Sequence, residues 1–231
     1  MSIADNVALV RENIAEAAEA AGRRAEDILL VAATKMNDAD RVRQAVKAGV
    51  DICGENRVQE MLEKNSAGAY EGAPLHFIGH LQQNKVKYVV GLAELIQSAD
   101  SLPLLAAINK EAGKKGLVQN VLLEVNIGAE SSKSGFAPEE IPEVLAKISD
   151  FDSVSVRGLM AIPPICASPD ENRPYFERMM QLFVDNGGKK YDNVYMDFLS
   201  MGMSGDYREA IACGANMVRV GSAIFGARIY K

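Results

Sequence analysis

Ile28-Leu29-Leu30-Val31-Ala32-Ala33-Thr34-Lys35 is a run of seven weakly polar, β-prone residues closed by a lysine. An unbroken apolar run, as opposed to an alternating one, fits a strand covered on both faces, as in a parallel sheet. A lysine at the carboxyl end of such a strand would sit at the mouth of an α/β fold. Partial dehydration there lowers an ammonium pKa and makes the amine available as a nucleophile toward aldehydes. A lysine that snorkels from a strand end into solvent would give the same pattern. This stretch alone leaves both readings open.

On either side of it the chain alternates. Asp5 to Ala21 has helical periodicity, with Val7, Val10, Ile14, Ala17 and Ala21 on one side, and Gly22 breaks it just before the lysine strand. Val42, Ala45, Val46 and Ala48 mark a helix ending at Gly49, and Val50-Asp51-Ile52-Cys53 is a short strand that stops at Gly54-Glu55-Asn56. A helix around Val58 to Glu63 leads to the strand Leu75-His76-Phe77-Ile78, which ends at Gly79-His80. Asn84 to Val90 reads as helix and Leu95-Ile96-Gln97 as a weak strand. Ser101-Leu102-Pro103 carries the serine cap and early proline of a helix start, running to about Lys115. Asn120 to Asn126 is a clear strand, and a helix begins near Ala137-Pro138-Glu139-Glu140. Val154 to Met160, Val194 to Leu199 and Met217-Val218-Arg219-Val220 are strands, with helices at Tyr175 to Val184 and Tyr207 to Cys213 between them. Ser222 to Arg228 follows the last strand as a short helical segment.

Eight strands alternating with helices imply βαβ units and a parallel sheet. Eight units in about 200 residues fit a small (β/α)₈ barrel of the TIM type, with an extra N-terminal helix, better than an open Rossmann sheet. No stretch has the composition of a linker, so residues 1–231 read as a single domain.

Composition narrows the function. The chain is 48% hydrophobic, enough for one large core, with a net charge of −6 and a sequence pI of about 5.1. A basic nucleic-acid footprint is not expected. No apolar run approaches the roughly 20 residues that span a bilayer, and no secretory signal is visible. Cys53, Cys166 and Cys213 are widely spaced, without a Cys-x-x-Cys, and read as reduced thiols of a cytoplasmic protein.

In such barrels the site forms at the carboxyl ends of the strands. Those ends are Lys35, Gly54-Glu55-Asn56, Gly79-His80, Asn126, Met160-Ala161, Ser200-Met201-Gly202 and Gly221-Ser222. Small and polar residues gather there, while the strands are apolar. Gly221-Ser222 opening into Ala223-Ile224-Phe225-Gly226 suggests an anion site, because unpaired amides point outward where a short helix begins. The loops after strands 7 and 8 are the usual phosphate cradle of this barrel, and Ser200 to Gly205 supplies the first of them. Glycines that only turn the chain, and a Ser204 that only caps the helix near Asp206, are the plainer reading.

Arg219, set among β-branched residues, needs a partner if it points inward. Asp197 is the plain candidate and a ligand ring nitrogen the functional one. His76 and His80 stand about 13 Å apart along a strand, so a metal site is not expected. His80 at the strand end would line the site, and His76 would pack.

With Lys35, the phosphate loops and Arg219 in place, the sequence resembles the pyridoxal-phosphate homeostasis protein family, single-domain relatives of the N-terminal barrel of alanine racemase. The resemblance runs through Ala32-Ala33-Thr34-Lys35, Gly54-Glu55-Asn56-Arg57-Val58-Gln59-Glu60, His76 to Gln82 with Asn84-Lys85, and Val125-Asn126. It continues through Glu130, Lys133-Ser134-Gly135, Gly158 to Pro163, Leu199 to Asp206, and Val218 to Arg228. It implies a fold-type III barrel in which Lys35 forms a Schiff base with pyridoxal 5′-phosphate (PLP). Arg219 would face the pyridine nitrogen, Ser200, Ser204, Gly221 and Ser222 would surround the phosphate, and Asn56 would lie near the cofactor. Two positions depart from the family: Thr34 stands where serine is common, and Asn37 where many members carry a second lysine.

The resemblance further implies a role in vitamin B6 and amino-acid balance, with PLP-dependent apoenzymes as possible recipients and a monomer or weak dimer as the form. An arginine, with its pKa above 12, cannot give its proton to the pyridine, so the cofactor would be a poor electron sink. Racemases add a tyrosine base from a second domain, which a chain ending at Lys231 would lack. The expectation is a carrier without robust catalysis. The rivals are a slow PLP-dependent amino-acid racemase and a phosphate-ligand barrel in which Lys35 is structural.

Overall fold

The computed structural model describes residues 1–226 other than 131, 165 and 167. Eight strands follow one another: β1 Leu29–Ala33, β2 Ile52–Glu55, β3 Leu75–Phe77, β4 Leu95–Ala99, β5 Gln119–Val125, β6 Val154–Ala161, β7 Val194–Met203 and β8 Met217–Val220. They close in that order into a parallel barrel, with β8 pairing back onto β1 at Leu29–Met217 and Val31–Arg219. Between and around them run helices α1 Ile3–Ala20, α2 Ala39–Lys47, α3 Val58–Ser66, α4 Val86–Val89 and α5 Leu102–Lys114. The rest are α6 Ile141–Ala146, α7 Arg173–Gly187, α8 Tyr207–Ala212 and α9 Ser222–Phe225. This is the TIM-type (β/α)₈ barrel with a leading helix.

Side-chain alternation explains why the strands are apolar on both faces. Val31, Ile52, Leu95, Leu122, Met160 and Met217 form one buried cluster. Residues of the other parity, such as Leu30, Ala32, Val121, Leu123 and Val218, belong to a larger cluster shared with the helices. Each fully buried aliphatic side chain contributes about 1.5–3 kcal/mol. Helix α1 is capped by Ser2, whose hydroxyl accepts from Asp5 N–H at 3.1 Å while the Asp5 carboxylate accepts from Ser2 N–H at 2.8 Å. It buries Val7, Val10 and Ile14, and Asn6 Nδ2 donates to Ile224 O at 2.8 Å, fastening α1 to α9.

Several expectations are corrected. Strand β2 begins at Ile52 and includes Gly54 and Glu55, so those residues lie in the wall and not in the loop beyond it. Strand β7 runs on to Met203, which places Ser200 within it. The helix expected from Asn84 opens as a 3₁₀ turn, Gln83–Lys85, before α4. Ser101 stands at the start of α5, yet its hydroxyl donates to Asp100 Oδ1 at 3.0 Å and caps no amide. Of the last helical segment, Ser222–Phe225 is helix; 227–231, with Arg228 of the expected span, lie outside the described residues. No helix among the described residues is long and apolar enough to cross a membrane.

Candidate functional site

Lys35 lies in the turn between β1 and α2 and is half-buried. Asn37 fastens this turn from one side: its Nδ2 donates to Lys35 O at 3.0 Å, and its Oδ1 accepts from Arg41 Nε at 2.9 Å. Arg41 in turn donates to Phe225 O and stands over the Phe225 ring at 5.9 Å from its centroid. Asn37 therefore links the Lys35 turn, through Arg41, to α9.

The other side of the turn rests on charges that sequence reasoning missed. Glu55 is fully buried and points to Lys64, 2.6 Å away, whose side chain is itself 8% exposed. Burial also pushes the neighbouring Cys53 thiol up to about 12, leaving it protonated and inert at neutral pH. A lysine on a helix reads as a solvent residue, and a glutamate before Asn56 reads as loop. Only the fold brings them together.

Asn56 follows β2. Its Oδ1 is buried and has no hydrogen-bond partner. Gly79, just beyond β3, packs against its backbone so closely that a Cβ there would stand 2.3 Å from Asn56 O.

Arg219 on β8 is 4% exposed. Asp197 is not its partner, for that carboxylate pairs with Arg157 at 2.6 Å. Instead Arg219 Nη1 donates to Ser200 Oγ at 2.6 Å and Nη2 donates to Ala161 O at 2.9 Å. Burial lowers the guanidinium to about 10, so it stays charged at neutral pH. The chain continues inward. Ser200 donates to Gln97 Oε1 at 2.7 Å, and Gln97 Nε2 lies 3.0 Å from His76 Nδ1. With the Gln97 amide as donor, His76 carries its proton on Nε2, and burial pushes it down to about 3, so it is neutral. His76 packs, as expected. Ser200, completely buried and with its hydroxyl engaged on both sides, supports Arg219 and is not on the rim.

The loops after β7 and β8 converge. Ser204 Oγ accepts from Gly221 N–H at 3.1 Å and Ala223 N–H at 3.4 Å. Ser204 therefore does not cap α8, which starts without a side-chain cap. Ser222, next to these amides, is exposed.

Opposite lie acids. Asp100 Oδ2 meets His80 Nδ1 at 3.0 Å, with Ser134 Oγ at 3.4 Å from the same nitrogen. Glu124, on the inward parity of β5, is pushed up to about 7, first by burial and then by Asp100, with Arg219 and His80 pulling the other way. Sequence reading passed over it as one charge inside Val-Leu-Leu-Glu-Val. Lys133 is held by Glu130 and donates to Pro163 O at 3.1 Å.

Lys35 follows β1 and the Gly221 and Ala223 amides follow β8, the two strands pairing side by side, with Arg219 buried in β8. Residues 6–229 match the family described as alanine racemase, N-terminal domain. A pyridoxal phosphate homeostasis protein of Aquifex aeolicus is 41% identical over 230 residues, covering 100% of both chains. The chain belongs to the pyridoxal phosphate homeostasis protein family. Among solved structures, PipY of Synechococcus elongatus without PLP is 30% identical with a TM-score of 0.86, over 97% of this chain and 100% of that one. PipY with PLP bound is 29% identical with a TM-score of 0.83, over the same shares. The N-terminal domain of alanine racemase is thus matched across nearly the whole chain.

Proposed function

We propose that this protein binds pyridoxal 5′-phosphate through a covalent bond to Lys35 and serves PLP homeostasis, holding the cofactor for PLP-dependent apoenzymes and not turning over substrate. The observation that carries the reading is that Lys35 and the Gly221 and Ala223 amides follow the paired strands β1 and β8, beside the buried Arg219 of β8. A relative solved with PLP bound and relatives named for PLP homeostasis support it.

The residues present fit the cofactor. PLP supplies an aldehyde that condenses with an amine, its C=O giving way to a C=N bond with release of water. Lys35 provides that amine. The amides of Gly221 and Ala223, now shared by Ser204, are donors aimed at one point, and with the Ser204 and Ser222 hydroxyls they suit a phosphate. Asn56 Oδ1, buried without a donor, has an acceptor to offer a ligand hydroxyl. Arg219 has five N–H groups, of which the bonds to Ser200 and Ala161 use two. It can donate toward a ring nitrogen, and at about 10 its pKa still leaves it a poor proton source. That withholds the protonated ring that carbanion chemistry needs, which favours a carrier.

Adding PLP to the pure protein tests this. A band at about 420 nm is expected, together with no solvent deuterium uptake into L-alanine. Absence of the band removes the PLP reading. Rapid deuterium uptake makes the protein a racemase.

A further inference from the structure

Beneath the Lys35 turn lies a buried group of charges with no part in the scheme above. The Lys64 ammonium donates to Glu55 Oε2 at 2.6 Å, to Thr34 O at 2.8 Å and to Glu60 Oε2 at 3.0 Å. All three of its N–H bonds are thereby used. Stability does not explain such a group, because well-packed apolar residues in place of a buried ion pair are often as stabilising or more so. What the group touches is more informative.

Its hydrogen bonds end on both sides of one residue. Thr34 O, which Lys64 holds, belongs to the peptide unit entering Lys35. Met36 N–H, in the peptide unit leaving Lys35, donates to Glu60 Oε2 at 2.8 Å. The Thr34 hydroxyl donates to Glu55 Oε2 at 2.9 Å, and Glu55 Oε1 accepts from Asn56 N–H at 2.8 Å. Met36 also has φ +59°, the left-handed region that is unfavourable for a methionine and persists only where surroundings impose it. The Glu60 contact to its amide is such a constraint.

We infer that Glu55, Glu60 and Lys64 form the positioning device of the Lys35 turn, gripping the peptide groups before and after Lys35 so that its amine leaves the barrel wall in one direction. Through Glu55 the same device sets Asn56. The functional meaning rests on the PLP reading of Lys35; the brace itself rests on the hydrogen bonds.

Two readouts keep these apart. The first is hydrogen exchange at the Met36 amide in the ligand-free protein. The second is the rate of adduct formation with excess PLP, with the ellipticity of the bound band per mole of adduct. In Glu60→Ala, Met36 exchange should be at least about tenfold faster. Its adduct should form at least about tenfold more slowly and with reduced ellipticity. Glu60→Gln keeps an acceptor oxygen and should stay near wild type on both counts. Lys64→Met should move in the same direction as Glu60→Ala; if it does not fold, the Glu60 pair decides. Unchanged Met36 exchange in Glu60→Ala overturns the brace. Faster exchange with an unchanged adduct rate overturns its positioning role. A wild-type protein that forms no adduct fails the PLP reading instead, while the exchange data still judge the brace.

Discussion

Arg219 reaches Ser200 across 2.6 Å, and Ser200 hands the line of hydrogen bonds to Gln97 at 2.7 Å. A buried guanidinium thus donates to neutral oxygens, while the Glu124 and Asp206 carboxylates favour its charge from further off. Ser200→Ala would leave an Arg219 N–H and the Gln97 oxygen unpaired in the barrel. We expect a loss of about 1–3 kcal/mol in stability, measured by urea unfolding, and weaker PLP binding. Unchanged stability would mean that the line carries no weight.

The anion cradle predicts discrimination between aldehydes. Pyridoxal lacks the phosphate and forfeits several charge-assisted bonds, each of about 1.5–3 kcal/mol. Titration should show it binding at least about a hundredfold more weakly than PLP. Equal affinities would remove the case for Ser204, Gly221 and Ser222.

Gly79 predicts a steric effect at Asn56. A Cβ at position 79 would stand 2.3 Å from Asn56 O and 2.7 Å from Asn56 Cα, both backbone atoms. Gly79→Ala should therefore cost about 1–3 kcal/mol of stability and weaken PLP binding, whereas Gly116→Ala, at a turn remote from the site, should affect stability alone. Unaltered PLP affinity in Gly79→Ala would separate Asn56 from the site.

Glu124 gives the fold a pH dependence. Its native pKa of about 7 lies above the ordinary 4.5, so between these values the folded state binds a proton that the unfolded state has lost. Stability from this group is full below pH 4.5 and is lost as pH rises toward 7. Glu124→Gln does not titrate, so its stability relative to wild type should rise across that window by up to about 3 kcal/mol. His76 acts oppositely. Its native pKa of about 3 lies below 6.5, so its contribution is full above pH 6.5 and is lost as pH falls. Melting temperatures of wild type and Glu124→Gln from pH 4 to 8 separate the two, since the histidine term cancels between them. A constant difference would contradict the Glu124 assignment.

The barrel was legible because burial on both faces writes each strand as an apolar run, and the glycines and polar residues at strand ends mark the mouth. Where the apolar run stopped before the strand did, the reading slipped. Leu199 looked terminal, yet Ser200 to Met203 continues β7, with Met201 buried against the helices and Ser200 facing Arg219. Asp197 seemed the natural partner of Arg219 by charge, but Arg157, on the adjoining strand β6, takes it. The Glu55–Lys64 pair was invisible for a different reason. Periodicity records which face of a helix is apolar, and a lysine that folds its stem over that face to reach a buried carboxylate leaves no trace in it.

The central claim is the bond between Lys35 and PLP. Borohydride reduction of the PLP-loaded protein followed by peptide mass mapping tests it most directly. The account predicts one phosphopyridoxyl group, on Lys35, and none after Lys35→Ala, which should still fold because the side chain lies in a turn outside the core. A stoichiometric adduct on another lysine, Lys133 being the first to inspect, or an undiminished adduct in Lys35→Ala would contradict it.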